Sequence, residues 1–147
     1  MNSYKQIVNY FTTAAQLHVG VQSFAHGSLD YLDSSAQNIA YPYVFLRPMT
    51  STGLVDNTRT LSFELYALDV PKLSTESPVD IMSNMERTLY DIISYFNRGP
   101  LQQEIGITVN NIIPTLEAFN DRAYGWVGNI DVFEQGVWNY CTFPKLT

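Results

Sequence analysis

Apolar side chains return at steps of three and four near the start of the chain, where Tyr4, Ile7, Val8, Phe11, Ala14, Ala15 and His18 share one side of a helical wheel. Ser3 stands in front of them as an N-cap, so a helix is predicted from about residue 3 to about residue 18, ended by Gly20. Gln22 to Gly27 then reads as a short strand, and Asp30, Asp33, Ser34, Ser35 and Asn38 as a polar loop. Tyr41 to Arg47 is aromatic and β-branched and is bounded by Pro42 and Pro48, which predicts a strand. Ser51, Gly53, Asp56 and Asn57 give the stretch from Thr50 to Thr58 the chemistry of a loop. From Thr60 to Leu68 the pattern changes to strict alternation. Leu61, Phe63, Leu65 and Ala67 take one face and Thr60, Ser62 and Glu64 the other, as in a strand with one face buried.

Ser77-Pro78-Val79-Asp80 opens a second helix, because Ser caps, Pro suits the first helical position and Asp suits the positive end of the dipole. Ile81, Met82, Met85, Leu89, Ile92, Ile93 and Phe96 form its apolar stripe, and Arg98-Gly99-Pro100 stops it, so the helix spans roughly residues 78 to 97. Ile107 to Val109 and Ile112 to Phe119 are extended, with Pro114 restricting this run to a sheet edge or a bulge. Asn120, Asp121 and Arg122 make a turn, after which Arg122 to Phe133 returns as a partner strand. It places Tyr124, Trp126, Ile130 and Val132 on one face. Gly125 and Gly128 interrupt that run, which predicts a bulge or the close approach of another backbone. Trp138 to Phe143 reads as one more short strand. The order predicts an α+β fold: a single domain over 1–147, mainly antiparallel sheet, with the long helix and the N-terminal helix packed on one face.

A chain of 147 residues is long enough to bury roughly 68 to 70% of its unfolded surface. Charge is what departs from the ordinary. Only 15% of residues are Asp, Glu, Lys or Arg, against about 25% in a typical soluble domain, so much of the surface is expected to be neutral polar or covered by partners. The net charge is −6, and Lys5, Arg47, Arg59, Lys72, Arg87, Arg98, Arg122 and Lys145 are scattered, so no stripe exists to track a phosphate backbone. Cys141 is the only cysteine; it cannot form an intramolecular disulfide and reads as a small core hydrophobe of a protein kept in a reducing cytosol. The start of the chain lacks a signal peptide's apolar region, and no apolar run has the ~18 residues of a membrane span.

Catalytic and metal motifs are missing. His18 and His26 have no ligand spacing around them and read as structural histidines. Asp56, Asp80 and Asp121 are explained by loop, helix-start and turn positions, and Glu117 and Asp131 by strands facing solvent. The expectation is therefore no catalytic residue, no cofactor, no metal and no enzyme.

The run Glu117-x-Phe119-x-Asp121-x-x-x-Gly125-Trp126-x-x-x-Ile130-x-Val132, followed by Cys141, resembles a pattern of tailed-bacteriophage tail-terminator or tail-completion proteins. Tyr41 to Leu46, Phe63 to Asp69 and the helix opening near Asp80 extend the resemblance over residues 41 to 141, and Arg122-Ala123-Tyr124 departs from it where acidic or small residues are expected. The resemblance implies a structural virion protein: a homo-oligomeric ring at the neck that ends the tail tube and joins it to the head connector. Its partners would be copies of itself, the tail tube and the neck proteins. DNA would pass through without specific binding, no membrane would be involved, and the protein would be made in the host cytoplasm. Another head-completion or neck adaptor ring protein, or a small monomeric binding module, are the alternatives. Interface residues are expected in the stretch from Thr50 to Thr58 and after Gly136, namely Thr52, Leu54, Val55, Trp138, Tyr140 and Phe143.

Overall fold

A computed structural model describes residues 3–28, 39–55, 58–72, 76–98, 105–118 and 122–135. Along them run α1 (Tyr4–Leu17), β1 (Ser23–His26), β2 (Tyr43–Val55), β3 (Thr58–Asp69), α2 (Pro78–Asn97), β4 (Gly106–Ala118) and β5 (Ala123–Gln135). Both helices start where the caps predict. Ser3 Oγ accepts from the Gln6 N–H while Gln6 Oε1 accepts from the Ser3 N–H, a closed capping box. Ser77 Oγ accepts from the Val79 N–H at 3.1 Å, with Pro78 following at the first position.

The five strands form one sheet in the order β1-β2-β3-β5-β4. All pairs are antiparallel except β1 with β2, which run parallel with Ser23 opposite Tyr43 and His26 opposite Leu46. Sixteen residues separate those two strands, enough for the dozen or more that a parallel crossover needs. Together these elements make the α+β fold that the order of helix and strand patterns predicts.

α1 and α2 lie on one face. There Ile7, Phe11, Ala14, Ile81, Met85, Leu89, Ile92 and Phe96 meet Val44, Leu46, Leu61, Phe63, Leu65, Ile130 and Val132 in the main core. Phe11 ties the layers together, its ring 4.5 Å from that of Phe96 and 5.6 Å from that of Phe63. Each such buried ring contributes about 1.5 to 3 kcal/mol of transfer free energy. Tyr124 and Trp126 pack against the same core, as their alternation predicts, and Trp126 Nε1 donates to the Met82 carbonyl at 2.8 Å, pinning α2 to β5.

The two glycines of β5 answer two different neighbours. A Cβ at Gly125 would stand 1.9 Å from the Ala67 carbonyl oxygen, so here another backbone does come close. A Cβ at Gly128 would meet the Leu89 side chain at 3.3 Å, which lets α2 settle near the sheet. On the opposite face a second cluster joins Tyr43, Phe45, Tyr66, Leu68, Ala123 and Val127.

From Thr50 to Val55 the predicted loop is strand, and Asp56 and Asn57 lie outside the described residues. Ser51 pairs with Leu61, Thr52 with Thr60 and Val55 with Thr58, so β2 and β3 extend as a long hairpin arm. Thr50, Thr52 and Val55 are β-branched and suit a pleated surface, and Gly53 serves no positive-φ turn. Register shifts at Pro48/Thr50 and Thr52/Val55 make this part of the ladder irregular.

β4 is an edge strand, as Pro114 predicts, with a register shift between Val109 and Asn111. Asn97, the last residue of α2, donates to the Ile107 carbonyl at 3.1 Å and accepts from the Ile107 N–H at 3.0 Å. Pro114 faces Trp126, an even number of residues along β5 from the Val132 opposite Ile107, so its missing N–H falls on the same outer side.

Candidate functional site

The arm leaves the helix-covered part of the sheet at Pro48, and every side chain from Pro48 to Gly53 is exposed. Met49, the extra residue at the first register shift, is 47% exposed. Where the arm departs, Tyr4 of α1, Pro48, Met49, Arg59, Leu61 and Phe63 enclose an open cleft of about 320 Å³, with Thr50, Ser51 and Ser62 also lining it.

Tyr4 forms the helix wall of the cleft. Its ring stacks on Phe63 with centroids 6.1 Å apart, and its hydroxyl meets His26 Nε2 at 2.6 Å. Burial raises the Tyr4 pKa and lowers that of His26, so both groups favour their neutral forms at this contact. Arg59 at the strand wall is held by Glu134 of β5, Nη2 to Oε2 at 3.0 Å, and Glu134 is only 2% exposed. Apart from this neutralised pair the cleft offers aromatic, aliphatic and hydroxyl surface.

Across the face opposite α1 and α2 a polar band separates the second cluster from exposed Phe133. Arg47 is bonded to Glu64, which also accepts from the Tyr66 hydroxyl; Asn129 is bonded to Asn111. Asp131 accepts from Ser62 Oγ at 2.6 Å and from Asn110 Nδ2 at 3.0 Å. The register places Arg47, Glu64, Asn129 and Asn111 in one line across four strands. Burial, and secondarily Glu64, pushes the Tyr66 pKa up to about 12, so this phenol stays a donor. Each charge in the band has a polar partner, an arrangement suited to holding side chains in place.

Both histidines are hydrogen-bonded within the fold, His26 to Tyr4 and His18 to Asp91. His18 Nδ1 accepts from the Gly20 N–H, which puts the proton on Nε2 to donate to Asp91 at 2.9 Å. Among the described residues no three His, Cys, Asp or Glu side chains gather as a metal site would require, and no helix is long and apolar enough to cross a membrane.

Of the expected interface residues, Thr52 is exposed on the arm and donates to the Thr60 carbonyl at 3.3 Å. Leu54 and Val55 belong to the same strand, so three of the six share one element. Trp138, Tyr140 and Phe143 lie outside the described residues, as do Cys141, the predicted last strand and the predicted loop around Asp33. Sequence reasoning missed the exposed Met49, Ile113, Leu116 and Phe133 and the buried Arg59–Glu134 pair. For Ile113 a signal existed: adjacent Ile112 and Ile113 in a strand must point to opposite faces. No protein-family model matches the chain, and no curated protein matches it in sequence.

Proposed function

We propose that this chain is a structural subunit that closes with copies of itself into a ring, of the kind that ends the tail tube of a tailed phage and joins it to the head connector. The observation that carries the reading is the hairpin arm. It projects exposed side chains from Pro48 to Gly53 without a single charged residue, on a chain whose net charge is −6. Like-charged copies repel at long range, so a contact between them is cheapest where neither surface carries charge. A hairpin arm that meets a different surface of the next copy makes a heterologous contact, and such contacts form a ring when the rotation from copy to copy closes. The expected sparse charge and aromatic richness agree with surface meant for partners.

Mass photometry over a concentration series, with negative-stain images, tests this. Closed rings of one subunit number are expected, and purified rings should cap isolated tail tubes. A monomer that neither assembles nor adds to tubes would transfer the cleft beside Tyr4 to a monomeric binding module.

A further inference from the structure

Resting on the ring reading, we infer that Phe133 of one copy seats in the cleft beside Tyr4 of the next copy, a contact that repeats head to tail around the assembly. Phe133 is 49% exposed although β5 lies between two paired strands. The register gives the reason. Opposite it stand Thr60 on β3 and Gly106 on β4, so one small side chain and one missing side chain flank the ring and it rises clear of the sheet. A ring carried on a paired strand is a large apolar contact that needs little further ordering on binding.

The receiving surface belongs to the same level of the sheet. Tyr4, Pro48, Met49, Leu61 and Phe63 surround an open cleft of about 320 Å³. A cavity of about 150 Å³ holds a benzene ring, so one phenyl group fits. The exposed Tyr4 ring and the exposed Met49 thioether both favour an aromatic occupant. Arg59 in the lining is matched by Glu134, and Asp131, two residues from Phe133 on the same face, is hydrogen-bonded by Ser62 and Asn110. Neither surface thus brings a charge without polar partners to the contact, as two copies of a chain with net charge −6 require.

Alternation excludes the same contact within one chain. Val132 and Phe133 are consecutive and point to opposite faces of β5. Val132 joins Leu61 and Phe63 in the core under α1 and α2, the side on which Tyr4 stacks over Phe63, so Phe133 points away from its own cleft with the sheet between them. Ring and cleft are different surfaces of one molecule. Each copy therefore gives one contact and receives another, and the series becomes a ring when the rotation from copy to copy closes.

Two substitutions in the full chain test this by sedimentation velocity. Phe133→Thr removes the aromatic ring and suits a strand, and Met49→Asp puts a charge in the cleft; both side chains are about half exposed, so neither change takes away core. Each variant alone should stay monomeric where the native chain assembles, a weakening of about 30-fold or more, as at an interface hot spot. An equimolar mixture should give dimers and nothing larger, because one variant keeps its cleft, the other keeps its Phe133, and the pair has no second match to offer. With circular dichroism confirming that both variants are folded, a mixture that stays monomeric, native-sized rings from either variant, or a Met49→Asp protein that pairs with itself overturns this seat while native rings uphold the ring reading. Open chains of varied length that both variants abolish keep the seat and sink the ring. A native chain that is monomeric at every concentration overturns the seat, and its addition to tail tubes then decides the ring reading by itself.

Discussion

Phe63 and Thr52 belong to the same hairpin, yet they are held by different physics. At the root of the hairpin Val44, Leu46, Phe63 and Leu65 are almost fully enclosed by α1 and α2. In the arm, β2 shows only exposed side chains from Pro48 to Gly53, and what buried contact exists comes from Leu61 and from Arg59 with Glu134. In the root, burial sets the register, because a one-residue slip would turn every apolar side chain outward. In the arm, backbone pairing and one ion pair set it, which leaves the outer surface free to serve contact with other molecules. The largest separation of the two regions should come from Phe63→Ala, with a loss of about 4 kcal/mol in denaturant unfolding. A loss below about 1 kcal/mol would mean that the root is not the region that holds the fold. Glu134→Ala tests the one buried feature of the arm: leaving Arg59 enclosed without its partner should cost about 3 kcal/mol.

Asp69 gives the comparison a pH axis. It sits at the root end of β3, 7% exposed, and burial raises its pKa despite the Val70 N–H and Lys72 nearby. The folded state therefore holds the proton more tightly than the unfolded chain, whose carboxyl titrates near ~3.9. Stability from this group is present below that value and is lost as pH rises through the folded pKa. Asp69→Asn should flatten that part of the fall in melting temperature above pH ~4; an unchanged slope would assign it to other carboxylates. The smallest effect is expected from Thr52→Ala, within about 0.5 kcal/mol for the isolated chain. If that change instead lowers stability as much as a core truncation, the division between root and arm fails.

Much of the root was legible because period and caps agreed. Ser77-Pro78 and the stripe from Ile81 to Phe96 yield α2 to the residue, and the alternation from Leu61 to Ala67 yields the core face of β3. From Thr50 to Val55 the arm was misread because Ser51 and Gly53 match turn chemistry locally, while pairing with Thr60 to Ser62 is a non-local decision that composition does not carry. The cleft was illegible for the same reason: Tyr4, Met49 and Phe63 meet only through the tertiary fold. So was the match of Arg59 to Glu134, far apart in sequence, which register alone makes neighbours across β3 and β5.

The amide of Asn97 guards one point of the β4 border. By binding both backbone groups of Ile107 it imitates one residue of a neighbouring strand, and Pro114 and the irregularity after Val109 interrupt the same border again. Two copies that met edge to edge along β4 would find main-chain groups taken at Ile107 and an N–H missing at Pro114, so pairing there is interrupted at both places.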